Sequence, residues 1–234
     1  MEAILLAGGK AERLGDAARG LPKPLVPVGD RPLAAYALAL LSRAGVDRVI
    51  VAAAAGAGEL FERELSGIGP EIVVVEEPEP LGRGGGLRFA AQARGEEGPV
   101  LAMNGDELLD VDLNALLDRH REREPAATIT LVPLRSQFGV VDLDDDDVVT
   151  GFREAPRLPY WVNVGLYVLG DEALELLPER GDHETTTFPL LAARRRLHGF
   201  RHLGTWLTVN TPKELRLAEE FVEQHPDWLA PHRR

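Results

Sequence analysis

The chain has 234 residues, 44% hydrophobic and 27% charged, which fits one or two globular domains with a sizeable core and excludes a stapled miniprotein or a disordered chain. Its 26 basic and 38 acidic residues leave a net charge of -12, which opposes nonspecific attraction to nucleic acid and to anionic membranes. The absence of cysteine removes disulfides, thiolate catalysis and cysteine zinc sites, and suits a reducing compartment.

The chain opens on Met1-Glu2-Ala3-Ile4-Leu5-Leu6, without the basic region of a signal peptide. Its longest apolar run, Leu33 to Leu41, falls short of the ~18 residues a membrane span needs, so a cytoplasmic place with no membrane partner is expected. Short apolar runs then alternate with helical patterns. Ala3 to Ala7, Val49 to Ala53, Ile72 to Val75, Val100 to Met103 and Thr128 to Val132 suit strands buried on both faces. Between them lie helices over Pro32 to Ala44, with Asp30 as cap, and over Glu59 to Ser66, Gly85 to Arg94 and Leu113 to Glu124. The βαβαβαβαβ order predicts a mainly parallel sheet with helices on both faces.

After Pro133 the pattern changes. Gly139 to Glu154 reads as a hairpin with the acidic run Asp144 to Asp147 at its tip, followed by a strand over Trp161 to Leu169. Helices over Thr187 to Leu197 and Pro212 to Gln224 flank extended pieces around Phe200 to Val209, and Arg194 to Arg196 are expected on an exposed helix face. There is no linker or internal repeat, so one domain over 1–234 is expected, with a catalytic first half over 1–133 and a specificity-forming second half over 134–234.

Motifs begin where the first strand runs into Leu6-Ala7-Gly8-Gly9-Lys10-Ala11-Glu12-Arg13, a place where backbone N–H groups can approach a phosphate. Neither the Walker template nor the dinucleotide fingerprint fits it. Leu21-Pro22-Lys23-Pro24-Leu25-Val26-Pro27 follows, and prolines on both sides of Lys23 predict an extended backbone that fixes where its ammonium points. Lysine occurs only at Lys10, Lys23 and Lys213, and Arg13 offers a planar fork suited to phosphate oxygens.

This pair of segments resembles the sugar-1-phosphate nucleotidylyltransferases, whose opening motif runs roughly L-A-G-G-x-G-T-R-L, then P-K-P-L-x-P-V. The resemblance continues in order through Glu77-Pro78-Glu79-Pro80-Leu81-Gly82, Asn104-Gly105-Asp106, Phe152-Arg153-Glu154-Ala155-Pro156, Asn163-Val164-Gly165-Leu166-Tyr167 and Trp206 to Pro212. It implies a three-layer α/β/α sandwich with a mostly parallel mixed sheet, the Rossmann-like, glycosyltransferase-A-like fold of nucleotide-diphospho-sugar transferases. It also implies attack of a sugar 1-phosphate on the α-phosphorus of a nucleoside triphosphate, with Arg13, Lys23 and Asp106 catalytic and Asp106 holding Mg2+. Leu6, Ala7, Gly8, Gly9, Glu77, Pro80, Gly82 and Gly105 would then bind nucleotide, and Gly139, Glu154 and Asn163 the sugar phosphate.

Glu77 bears on the base, because a carboxylate can accept from both the N1–H and the amine of guanine. That favours GTP, with mannose- or heptose-1-phosphate guanylyltransferases as the relatives. Uridylyl- or thymidylyltransferases, a non-catalytic nucleotide-sugar-binding homologue and a molybdenum-cofactor guanylyltransferase are the alternatives. The oligomeric state is open, a homodimer included.

Several positions depart from the family motif. Ala11 and Glu12 replace a glycine and a threonine of the loop, Arg83 stands where threonine usually follows Leu-Gly, and Ala155 replaces a lysine whose charge Arg153, Arg157 or Arg201 would have to supply. Thr208 replaces the aspartate expected as second metal ligand, and Asp110 and Asp112 are close in sequence to Asp106. The acidic run Asp144 to Asp147 is expected to be a solvated turn, and His198 and His202 lack the helix that a zinc pair at that spacing needs.

Overall fold

A computed structural model of the chain describes residues 1–228. It runs from β1 (Glu2–Leu6) through the short strands β2 (Pro27–Val28) and β3 (Arg31–Pro32) to α1 (Leu33–Arg43), β4 (Arg48–Ala54), α2 (Gly58–Leu65), β5 (Glu71–Glu77), α3 (Gly82–Ala91) and β6 (Val100–Asn104). Then come β7 (Glu107–Leu109), α4 (Leu113–Arg123), β8 (Ala127–Arg135), the hairpin strands β9 (Val140–Leu143) and β10 (Val149–Arg153), and the long β11 (Arg157–Leu169). α5 (Asp171–Glu175), α6 (Thr187–Ala193), β12 (Leu197–Arg201), β13 (Trp206–Thr208) and α7 (Pro212–Gln224) follow.

The seven-stranded sheet has the order β12-β8-β11-β6-β1-β4-β5. β1, β4, β5 and β6 pair in parallel, as do β8 and β12, and β11 runs antiparallel to both β6 and β8. The mostly parallel mixed sheet expected from sequence is thus present, but its fifth predicted strand, now β8, does not neighbour β6; β11 from much later in the chain lies between them.

The continuous apolar runs hide a period of two. Ala3 and Leu5 of β1, with Val49, Val51 and Ala53 of β4, face a core built with α1, α2, α4 and α7. Ile4, Ile50 and Ala52 face the opposite core, built with α3, α5 and α6. Both faces are covered, which is why these strands read as unbroken hydrophobic segments, and the three-layer arrangement follows.

Local signals set the ends. Asp112 caps α4 by accepting from the Ala115 N–H at 3.0 Å, and Glu124 closes it in a left-handed conformation. α7 carries Pro212 in its first turn, and its Thr211 hydroxyl accepts from the Glu214 N–H at 3.2 Å. Asp30 is not the cap of α1: it lies in the β2–β3 turn, and the extended Pro32 precedes the helix without a side-chain cap. α3 begins earlier than expected, at Gly82, and α6 ends at Ala193, because Leu197 already pairs with Ala127 at the sheet edge. Arg194 to Arg196 therefore do not decorate a helix face, and Arg196 instead bonds Glu172 Oε2 and the Glu124 carbonyl. No helix among the described residues is long and apolar enough to cross a membrane.

Candidate active site

The parallel strands β1, β4, β5 and β6 end along one edge of the sheet, where α/β proteins open a ligand crevice. A cavity of about 400 Å³ lies there, walled by Leu6, Gly8, Gly9, Glu77, Pro80 and Gly82. Six of the residues predicted to bind nucleotide thus meet in one place. Ala7 is buried, donating its N–H to the Ala52 carbonyl, and lines a neighbouring cavity of about 390 Å³ with Ala11 and Pro22. Gly105 is also buried: its N–H reaches the Leu6 carbonyl at 2.9 Å and locks the end of β6 to the end of β1.

Glu77, the last residue of β5, is buried, and its Oε2 accepts from the Leu81 N–H at 2.9 Å ahead of α3. One carboxylate oxygen is therefore anchored by the chain itself. Gly86 keeps room for the other: a Cβ at that position would stand 2.6 Å from Glu77 Oε1.

Lys23 is only 7% exposed, and it sits in a single 3-10 turn, Lys23–Leu25, rather than in the extended backbone expected from its flanking prolines. Proline fixes φ near a value that a 3-10 turn accepts as readily as an extended segment does. The Lys23 N–H bonds the Gly9 carbonyl, tying the turn to the glycine loop. Its Nζ donates to Asp106 Oδ2 at 2.6 Å and to Asn210 Oδ1 at 2.7 Å, and the same Asn210 oxygen accepts from the Arg13 guanidinium at 3.0 Å. Arg13 and Lys23 thus meet Asp106, over eighty positions further along the chain, with Asn210 joining them.

Asn210 is held from behind, because its N–H donates to Glu214 Oε2 at 2.6 Å while Thr211 caps α7. The sequence signal for it was present in Asn210-Thr211-Pro212, which bears on the cap as well as on the family resemblance. Glu107 is a second addition. It follows Asp106 directly, accepts from Trp206 Nε1 at 2.9 Å, and faces Thr208 across the β7–β13 pair. Burial and the neighbouring Asp106 push its carboxyl up to about 8.

Asp110 and Asp112 are committed elsewhere. Asp110 accepts from the Thr205 N–H at 2.8 Å and lies 2.9 Å from His202 Nε2, and Asp112 caps α4. Among the described residues no cluster of three or more His, Asp or Glu could hold a metal by itself. Asp106 is a single part-exposed carboxylate beside the glycine loop, which would suit a hard cation such as Mg2+ only if its other ligands were waters or phosphates.

A second cavity of about 360 Å³ adjoins the first across Arg83, which lines both. Asn163 stands in its wall, donating to Tyr167 Oη at 3.0 Å and to Glu184 Oε1 at 2.8 Å, and accepting from the Gly165 N–H at 3.1 Å. The β11 register shifts between Asn163 and Tyr167, where Gly165 adopts φ +67, and a Cβ on Gly165 would collide with the Asn104 amide. Nothing in the sequence singled out Glu184, which lies in the loop before α6.

Gly139 and Glu154 belong to the exposed hairpin and make no side-chain or backbone hydrogen bond to these groups. Nor does any proposed replacement cation reach the centre: Arg153 pairs with both oxygens of Asp142, Arg157 is exposed, and Arg201 stacks 4.9 Å above the Trp161 ring. The Asp144 to Asp147 run is the exposed hairpin tip, with Asp144 Oδ1 accepting from the N–H groups of Asp146 and Val148.

Comparison with known proteins gives a consistent result. The family model described as nucleotidyl transferase matches residues 2–225. A mannose-1-phosphate guanyltransferase of Pichia angusta is 32% identical over 92% of this chain and 62% of its own length. A mannose-1-phosphate guanylyltransferase of Mycobacterium tuberculosis is 31% identical over 97% of this chain and 64% of its length. This chain thus spans under two thirds of these relatives. Among solved structures, HddC from Yersinia pseudotuberculosis complexed with GMP-PN aligns at a TM-score of 0.73 over 94% of this chain and 98% of the other, with 21% identity.

Proposed function

Because the chain belongs to the nucleotidyl transferase family, we propose that it joins a nucleoside triphosphate to a sugar 1-phosphate, releasing pyrophosphate and forming an NDP-sugar, with GTP and mannose 1-phosphate as the preferred pair. The observation that carries this reading is the Lys23 ammonium, buried between Asp106 and Asn210 with Arg13 on the same amide oxygen, beside the glycine-loop cavity. Two anions must meet for the reaction to occur, so positioning and charge neutralisation are the main demands on the protein.

In this reading the triphosphate lies along Gly8 and Gly9, whose N–H groups donate to no other protein group among the described residues. Lys23 and Arg13 neutralise its oxygens. An oxygen of the sugar phosphate forms a bond to the α-phosphorus, and the bond from that phosphorus to the bridging oxygen of the leaving pyrophosphate breaks. Lys23 and Arg13, already fixed, stabilise the charge spreading onto the α-phosphoryl and leaving oxygens. Asp106, through its free oxygen, would hold Mg2+, which supplies further neutralisation of the phosphates when bound. Glu77 would accept from guanine while Leu81 anchors its other oxygen, and Asn163 would sit against the sugar.

The second reading, a homologue that binds nucleotide without turnover, draws on Thr208 standing where a second metal carboxylate is expected, opposite Glu107. One experiment separates the two. The protein is incubated with Mg2+, each NTP and a panel of sugar 1-phosphates, and pyrophosphate release is followed. Turnover with GTP and mannose 1-phosphate supports the proposed activity. Nucleotide-dependent thermal stabilisation with no pyrophosphate from any pair eliminates it. The cysteine-free composition and the family's soluble substrates support a cytoplasmic place.

A further inference from the structure

The second cavity has a polar wall whose charge is unequal. Glu184 is its centre: Oε2 accepts from Arg83 at 2.7 Å, and Oε1 from Asn163 at 2.8 Å and Tyr167 at 3.3 Å. A carboxylate has about four acceptor positions, so these three donors leave one unused. Arg83 itself is shared between Glu184 and Asp182, to which it donates through both Nε and NH2. One guanidinium thus serves two carboxylates, Glu184 in the cavity lining and Asp182 outside it, which leaves the group with an excess of negative charge. Among the residues lining it, Arg83 is the sole cation, and its charge is already taken.

A wall of this kind offers acceptors and a negative field. It attracts hydroxyl donors and repels a second anionic group on the same ring. Phe188 and the bare backbone of Gly165 complete the lining with surface suited to a ring's C–H groups. Arg83 occupies the position where the resembled motif has threonine, and it also borders the nucleotide cavity, so the clamp on Glu184 is a feature of this chain's own sequence.

We propose that Glu184, held by Arg83, is a specificity-determining residue that restricts the sugar 1-phosphate to neutral, polyhydroxylated rings and rejects rings carrying a carboxylate or a second phosphate. This rests on the activity proposed above, with the sugar lying in the second cavity. Glu184 accepts one ring hydroxyl directly, and Arg83 positions it for that bond.

The test uses the whole protein with three sugars of one stereochemistry: mannose 1-phosphate, mannuronic acid 1-phosphate and mannose 1,6-bisphosphate. Pyrophosphate release with GTP and Mg2+ gives kcat/KM for each, and calorimetric titration of the same sugars into nucleotide-free protein gives Kd. The neutral sugar should lead each charged one by at least about tenfold in both measurements. Glu184→Gln should narrow that lead by raising the acid sugar and lowering the neutral one, and Arg83→Thr should raise KM for mannose 1-phosphate, with Arg83→Lys recovering part of the loss. Equal use of charged and neutral sugars by the unmodified protein overturns the proposal whether or not the variants fold, as does a Glu184→Gln variant with the original ratio. If no sugar yields pyrophosphate but the Kd difference persists, the activity fails and the charge selection is supported.

Discussion

Lys23 Nζ lies 2.7 Å from the amide oxygen of Asn210, a residue 187 positions further along the chain. Unlike Asp106, the ammonium's charged partner at 2.6 Å, Asn210 is neutral, so it orients Lys23 without further neutralising the charge a triphosphate would meet. Removing that charge should remove transition-state stabilisation. Lys23→Met is expected to lower kcat by about 10²–10³, the range seen when one preorganised donor is lost, while GTP-dependent thermal stabilisation drops less. Steady-state kinetics beside thermal shift would show it; an unaffected kcat would remove Lys23 from the mechanism.

Asn210 makes a sharper case, because Asp and Ala at that position differ in charge. Asn210→Ala loosens Arg13 and Lys23 but keeps their charge. Asn210→Asp keeps an acceptor and places a negative charge between them, opposing the phosphates. The expected order of GTP KM is wild type, then Ala, then Asp, with the Asp variant at least about tenfold above wild type. An Asp variant that binds GTP as well as wild type would show that Asn210 acts only as a spacer.

At Glu77 the variant Gln keeps the acceptor for the Leu81 N–H but turns part of the group into a donor. Guanine offers two donors where uracil offers one, so Glu77→Gln should reduce the GTP to UTP ratio of kcat/KM by roughly tenfold or more. A panel of NTPs at fixed mannose 1-phosphate reads the ratio directly.

Glu107 sets a pH dependence of stability. Its carboxyl is raised from 4.5 to about 8 by burial and Asp106, so between those values the folded chain keeps a proton that the unfolded chain has lost. Folding is therefore linked to proton binding in that window, and this group's contribution falls as pH rises from 4.5 and levels off above 8. Melting curves from pH 5 to 9 without divalent metal should show that decline, and Glu107→Gln should flatten it and gain stability at pH 8. An unchanged slope in the variant would assign the decline to other groups.

Gly165→Ala combines a positive φ of +67 with a collision against the Asn104 amide. It is expected to cost at least about 2 kcal/mol of stability, the sum of left-handed backbone strain and crowding. Denaturant unfolding measures it, and a loss below about 0.5 kcal/mol would mean that Asn104 moves aside freely.

Much of this was legible in the chain itself. The parallel strands announced themselves by unbroken apolar runs, because both of their faces are covered, and the loop glycines, Lys23 and Asp106 fell at the strand ends and turns where phosphate chemistry belongs. Asn210 and Glu107 were in plain view but carry no pattern of their own: each acquires meaning only when β13 pairs with β7 and α7 caps beside Lys23. Glu184 is reached through Arg83, about a hundred residues earlier, and no local periodicity encodes such a contact. Asp30 and the residues after Ala193 misled for a different reason, since tertiary pairing at a hairpin and at a sheet edge overrode local helix signals.

The insertion of β11 between β6 and β8 also governs how the chain can be assembled and cut. Until residues 157–169 have left the ribosome, β6 is an uncovered edge and β8 has no place in the sheet, so the first 133 residues do not make a free-standing unit. Synthesised alone, they would present the backbone of Val100–Asn104 as a template for another chain. The earlier and later parts of the sequence thus share one sheet, closed by a strand that the later part lends to the earlier.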